Sequence, residues 1–410
     1  MKFRYAIGAL GIWLVAVACS KEAGTAPVWS DDYIRFGVPR VTVETKAETD
    51  GGFIDGYLPG GASFGVLGYC LAYNPGTTTY NPNSGKSLWG VKSSLCPPSV
   101  FYNEQVTMDA PGTYATYDSP KKWYTDGTDN DGLNGINLAE TDEFQYTFYA
   151  YYPYDGNLND GSGFSITPES ATVAGSPKIT YTMPYSGNER EVENFETEVP
   201  DAMMAVTYNV QRDRRMVDFN FFHITTALGF QVNNYSQVGE TGENEEDKGV
   251  DLTIYSIKLT GTFFRSVTAD MSESAVNITY NEDDTYQATF VLFESEAGKV
   301  IPWLQDGNNG AISMAPEKYV RLLAGNSEKG VFGPKDVSVV VGYKLGENKP
   351  TQKTELRPGS FVPSPGTRYT AQLNWVNDAF VLIMQPDNGD LWEDGEADDS
   401  KEDNDDIIFE

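Results

Sequence analysis

Along most of the chain, apolar and polar residues alternate with a period of two, and Gly, Asn, Asp and Pro separate the runs. That pattern predicts half-buried β-strands joined by turns. Strands are expected at 33–46, 63–73, 143–152, 217–221, 228–232, 252–259, 276–280, 286–293, 337–343, 369–375 and 379–384. In the first, Ile34, Phe36 and Val38 share a face, but beyond Pro39 the apolar set becomes Val41 and Val43. A strand changes phase only by gaining a residue or kinking, so Pro39 is predicted at a bulge or junction, and at an edge where no ladder hydrogen bond is lost. The run 143–152 carries aromatics on both faces, Phe144, Tyr146, Phe148 and Tyr152 against Tyr149 and Tyr151. A strand of that kind is predicted to be central and covered on both sides. No amphipathic helix with caps at both ends is legible, and no repeat of fixed period. Many short strands predict an all-β fold of sandwiches or barrels.

The start of the chain departs from this pattern. Lys2 and Arg4 precede an uncharged apolar run over 6–17, and Ala16-Val17-Ala18 leads into Cys19. The run is shorter than the ~20 residues of a spanning helix. A positive region, a short apolar region and small residues predict a secretory signal peptide over 1–18. The stretch is similar to a bacterial lipobox, with Ala16 where Leu is usual, and that similarity implies acylation of Cys19. Each buried acyl CH₂ then adds ~0.8 kcal/mol of membrane affinity. Residues 19–32 read as a tether. The remainder suits two or three domains. A basic cluster of Arg212, Arg214 and Arg215 marks the expected boundary between 33–212 and 213–386. Residues 387–410 hold twelve acidic residues and one Lys, the composition of a solvated tail, yet they close on Ile407-Ile408-Phe409-Glu410. Nothing local can bury that triplet. It is expected to pair as a strand, with Ile407 and Phe409 on one face, either with another molecule or back on its own domain.

Charge and candidate chemistry narrow the function. The formal net charge of −30, from 29 basic and 59 acidic residues, opposes nucleic acid as a partner. His223 is the one histidine. It lies beside Phe221 and Phe222 and reads as a packed, hydrogen-bonded core residue rather than a base or ligand. With Cys19 set aside, export permits Cys70 and Cys96 to be bridged, or to stay as two thiols. Gly61-Ala62-Ser63-Phe64-Gly65 has the spacing of a nucleophile elbow, but a turn precedes Ser63 and a strand pattern follows, so it reads as a turn. Gly85-Lys86-Ser87 lacks the first Gly of a phosphate loop, Tyr80 standing in its place. Asp126, Thr128 and Asn130, and Asp155, Asn157 and Asn159, alternate as Ca²⁺ ligands can, but the Gly falls one position late and no Glu stands at position twelve, so both read as polar turns. No catalytic set, metal or cofactor is predicted.

Several segments together resemble the fimbrillin family, the type V pilins of Bacteroidota. They are the lipobox, the strand from Ile34 to Val43 followed by Thr45-Lys46-Ala47, Phe148-Tyr149-Ala150-Tyr151-Tyr152-Pro153-Tyr154, Asp201-Ala202-Met203-Met204-Ala205, Val217-Asp218-Phe219-Asn220-Phe221-Phe222-His223 with Ala227-Leu228, the strand from Gly366 to Trp375, and the closing Ile-Ile-Phe-Glu. The resemblance implies two tandem transthyretin-like β-sandwich domains and an outer-membrane lipoprotein that becomes a fimbrial subunit at the cell surface. It implies proteolytic processing after a basic residue near the first strand, with Lys46 the first choice and Arg40 the second. It also implies assembly with other fimbrial subunits by strand exchange, Ile407, Ile408 and Phe409 forming the donor strand, and adhesion to a host or bacterial surface ligand. The other readings are a glycan-binding lipoprotein of a polysaccharide-uptake system, which would bind sugar through exposed aromatics as a monomer, and a secreted hydrolase on a β-sandwich, which one carboxylate substitution would abolish.

Overall fold

A computed structural model describes residues 33–42, 54–73, 97–98, 100–123, 143–175, 177–186, 190–192, 195–210, 216–234, 251–271, 276–302, 313–326, 328, 330–346, 349–358, 361, 363–376 and 379–386. The regular elements among these residues are strands, apart from one helical turn, α1 (Phe195–Glu198). The strands are numbered in chain order.

The first sheet has eight strands: β1 (Arg40–Thr42), β2 (Gly56–Tyr57), β3 (Ser63–Tyr73), β4 (Phe101–Met108), β5 (Ala115–Thr116), β6 (Glu143–Tyr152), β10 (Met203–Val210) and β11 (Asn220–His223). Their spatial order is β2-β1-β11-β10-β6-β3-β4-β5. The second sheet runs β15-β14-β8-β7 and is built from β7 (Gly163–Thr167), β8 (Lys178–Thr182), β14 (Ser266–Asp270) and β15 (Asn277–Tyr280). The third runs β22-β21-β13-β16-β9, from β9 (Arg190–Val192), β13 (Leu252–Phe264), β16 (Thr285–Ile301), β21 (Lys335–Leu345) and β22 (Gln352–Leu356). The fourth runs β17-β12-β23-β24, from β12 (Thr225–Asn234), β17 (Ser313–Met314), β23 (Arg368–Val376) and β24 (Ala379–Pro386), and β18 (Val320–Leu323) also pairs with β12. A short ribbon joins β19 (Gly325–Asn326) to β20 (Gly330–Val331).

Period-two alternation sorts the first sheet's side chains between two cores. Phe64 and Val66 of β3, Tyr146, Phe148 and Ala150 of β6, and Met203 and Ala205 of β10 face one core. Leu67 and Tyr69, Tyr149 and Tyr151, and Met204 face the other. β6 therefore lies between β3 and β10 with apolar cover on both faces, as its aromatics predict. On the outer face the second sheet packs against it, Tyr151 meeting Phe164 at a ring separation of 4.5 Å. The third and fourth sheets face each other likewise, with Tyr343 at 5.3 Å from Trp375 and 5.1 Å from Phe380.

The boundary expected between 212 and 213 does not follow the sheets. β10 and β11 stand on either side of it and are neighbours in the first sheet. β8 pairs with β14, and β9 with β16, so strands from before the boundary complete sheets built after it. The outer core is correspondingly continuous, running from Leu67 and Tyr149 to Leu373 and Leu382. The cause is nonlocal: a basic cluster marks a polar connection, but not which sheet the next strand joins.

Candidate strand-docking site

The leading segment, 33–42, enters the first sheet next to its β2 margin. It is held from two sides. On one side it runs parallel to the chain leading into β11: Gly37 N–H donates to Val217 O at 2.9 Å, Val217 N–H to Arg35 O at 2.8 Å, and Arg40 N–H to Phe219 O at 2.9 Å. β1 then continues parallel to β11, Val41 beside Phe221. On the other side Tyr33 bridges antiparallel to Lys122, and Ile34 N–H donates to Lys121 O at 2.8 Å. Since Lys121 and Lys122 follow β5, the sheet's far edge, the leading segment joins the two margins of the curled first sheet.

Pro39 sits at the expected irregularity. Phe36 pairs with Val217 and Arg40 with Asn220, so four steps of the leading segment, 36 to 40, oppose three of its partner, 217 to 220. One extra residue is a β-bulge, and it is what turns Val41 back to the core after Ile34 and Phe36. Pro39 has no N–H to lose there, and its carbonyl accepts Leu58 N–H at 3.3 Å.

The segment's apolar side chains plug the inner core. Ile34, Phe36 and Val41 are 0%, 3% and 5% exposed. Phe36 meets five rings: Phe219 stacked at 5.8 Å, Phe101 at 5.7 Å, Tyr117 at 5.6 Å, Phe148 at 6.0 Å and Phe64 at 6.4 Å. Burying three such side chains is worth roughly 1.5–3 kcal/mol each. Their sum is comparable to the whole net stability of a typical domain, about 5–15 kcal/mol. An empty slot would therefore leave the first sheet badly compromised until something refilled it.

Sequence reasoning does not find the contacts that surround the slot. Tyr117, buried, donates its hydroxyl to Ile34 O at 2.7 Å and accepts Lys121 N–H at 3.1 Å. Burial pushes that hydroxyl's pKa well up, the hydrogen bond from Lys121 only partly opposing it and the Glu104 charge adding to it. Asp201 accepts Ile54 N–H at 2.7 Å and meets His223 Nδ1 at 2.7 Å with its other oxygen. His223 is thus packed and hydrogen-bonded inside the fold, as expected. These partners were invisible because they lie 83, 147 and 22 positions apart.

The remaining predicted residues are placed as follows. Arg40 is exposed in β1 with its backbone paired on both flanks. Cys70 is buried in the inner core. Ser63 opens β3 directly after the turn at Gly60–Gly61 and its hydroxyl lies 2.8 Å from that of Thr107, with no helix following. Asp155 spends its carboxylate on its own turn, accepting Asn157 N–H at 2.8 Å and Phe164 N–H at 3.1 Å. Cys19, Lys46, Cys96, Asp126 and 407–409 lie outside the described residues. Among the described residues no helix is long and apolar enough to cross a membrane.

The sequence model of the fimbrillin-like family matches residues 128–329. Over those residues the chain is similar to that family. The fimbrillin-like match takes in β6 through β19, the second sheet in full and the centre of the third. The chain is also 23% identical over 158 residues to the fimbrium subunit Fim1C of Phocaeicola vulgatus; the match covers 38% of this chain and 36% of that relative's own length. Among solved structures it is similar to a fimbrial protein from Bacteroides vulgatus, at 14% identity and a TM-score of 0.48 over 86% of this chain and 99% of that one. It is also similar to a candidate cell adhesion protein from Bacteroides uniformis, at 11% identity and a TM-score of 0.41 over 88% and 99%. The fimbrillin-like family is a structural one and not a family of enzymes.

Proposed function

We propose that this chain is a fimbrial subunit at the bacterial surface that joins its neighbours by lending and receiving a β-strand. The observation that carries the reading is the leading segment itself: a short, bulged strand that seals the inner core of the first sheet with Ile34, Phe36 and Val41. Removing it opens an apolar slot flanked by unpaired strand edges, which another strand can fill by backbone pairing while alternate side chains enter the core. The pattern Ile-x-Phe occurs twice in the chain, at 34–36 and at 407–409. Ile407 and Phe409 thus offer the same two side chains at the same spacing as Ile34 and Phe36, which supports Ile407–Ile408–Phe409 as the donor. In this reading export and acylation at Cys19 bring the precursor to the outer membrane, and a trypsin-like protease cuts at Lys46, or at Arg40, to free the strand. The exposure of the Arg40 side chain suits it to recognition, whereas its paired backbone favours Lys46 as the first cut.

Limited trypsin digestion of the purified chain, followed by intact mass and size measurement, tests this. Loss of the leading strand followed by ladders of joined subunits is expected. Lys46→Ala with Arg40→Ala should block both, and Phe409→Asp should permit the cut but stop the ladder. A chain that loses the strand and stays monomeric at high concentration would refute strand exchange.

A further inference from the structure

The two flanks of the leading segment are unequal. Its parallel flank belongs to the sheet, continuing into β11, which β10 backs with its own ladder. The opposite flank is divided: β2 pairs antiparallel with Arg40 and Val41, but ahead of Pro39 no sheet strand lies there among the described residues. At the segment's start the opposite flank is the turn from Tyr117 to Lys122, and its grip centres on Ile34. Ile34 N–H goes to Lys121 O and Ile34 C=O receives the Tyr117 hydroxyl, so both backbone groups of Ile34 are held by the same turn. The Tyr117 oxygen in turn accepts Lys121 N–H, which fixes the turn's own shape. The turn is moored to the sheet behind it: Lys121 Nζ donates to Val100 O and lies 4.9 Å from the Phe101 ring centroid. Lys122 Nζ sits 5.6 Å from the Tyr33 ring.

We propose that the Tyr117 hydroxyl is a clasp that sets how readily the leading segment leaves its slot. Segments held by few hydrogen bonds on an irregular flank open locally at lower cost than the sheet behind them. Here the irregular flank is closed by two bonds at Ile34, one of them from a phenol that bridges turn and segment. With the clasp shut, Ile34 has no unpaired backbone group and Phe36 stays among its rings. With it open, the start of the segment keeps the Ile34 N–H bond to Lys121 on that side, while the parallel flank and β2 hold the remainder. The clasp deepens the strand-exchange reading, because it places control of strand release in a residue outside both the strand and the cut.

Tyr117→Phe tests the clasp in the full chain. The ring is kept, and with it the packing on Phe36 and Phe101; only the hydroxyl is lost. Hydrogen exchange should speed up roughly tenfold at the Ile34, Gly37 and Arg40 amides, the loss expected for one buried hydrogen bond. Amides of β12 and β13 should be unchanged, and trypsin should remove the leading strand faster by a similar factor. Unchanged exchange at Ile34 and Gly37, or a rise shared equally by β12 and β13, would overturn the clasp, the second outcome marking a general loss of stability. The outcome is separable from the parent reading. Faster release without joined subunits would sink strand exchange and leave the clasp, whereas normal assembly with unaltered exchange would do the reverse.

Discussion

Phe36 meets five aromatic rings, whereas Ile34 and Val41 reach the same core with aliphatic side chains. A truncation there loses both buried area and edge-to-face contacts and leaves a cavity among rigid rings. Phe36→Ala should cost about 3–5 kcal/mol, read as a lower urea midpoint with an unchanged slope. The glycine at 65 is constrained from the other side of the sheet. A Cβ there would lie 2.3 Å from the Tyr151 ring, so the ring covers the bare backbone. Tyr151 is itself fixed by Asn103 and Asp155, its hydroxyl donating to the Asn103 amide oxygen and to Asp155 O. Gly65→Val should therefore destabilise by about 1–3 kcal/mol through overpacking, measured by thermal denaturation. At this scale the sequence discloses burial better than partnership. Phe221 and Phe222 flag His223 as a core residue, but nothing local points to Asp201. Tyr117 likewise looks like any other tyrosine in a turn until the fold brings Ile34 to it.

The turn between β4 and β5, which precedes Tyr117, begins at Asp109. Its carboxylate accepts Thr113 N–H at 2.5 Å, the Thr113 hydroxyl at 2.8 Å and Tyr114 N–H at 3.0 Å. Slight loss of hydration pushes the carboxyl up, but the hydrogen bonds from Tyr114 and Thr113 outweigh it and hold its pKa below the ordinary aspartate value of 3.8. A depressed carboxyl stabilises the fold above its unfolded pKa, and the contribution vanishes as pH falls through the folded one. The Thr113 and Tyr114 amide resonances should accordingly titrate with a midpoint below 3.8, and Asp109→Asn should remove that titration. Elements were legible where alternation was clean. β3 and β6 begin and end where the pattern does, and the phase change at Pro39 foretells its bulge. β4 was not legible. Between Val66 and Gly68 of β3, its residues 101–104 carry one extra position, with Asn103 at φ 51°, which breaks the period of two. β13 and β16 outrun their predicted ends because their outer faces are polar, with Lys258 and Glu294 paired at 2.9 Å, so hydrophobicity fades before the ladder does.

Across the whole molecule, the all-β class is plain from alternation, but the division of the chain is not. The second sheet takes two strands from each side of the expected boundary, and Arg265 ties the parts together. Its guanidinium donates to Tyr185 O at 3.1 Å, Gly161 O at 2.6 Å and Asp284 at 3.2 Å. Such sharing predicts joint unfolding: calorimetry should show one transition with equal calorimetric and van't Hoff enthalpies. Residues 213–386 produced alone lack β7, β8 and β9 and should fail to give a native-like spectrum. The leading segment has a further consequence at this scale. It lies parallel to β11, so a strand that replaced it in its seat with the same pairing would have to run in one direction only. A contact between unlike patches does not close on itself as a two-fold pair does; it repeats. Molecules linked through this seat would all point the same way, giving a fibre whose two tips differ, one presenting a vacant seat and the other an unspent strand, so that extension at either tip requires a different half of the same joint.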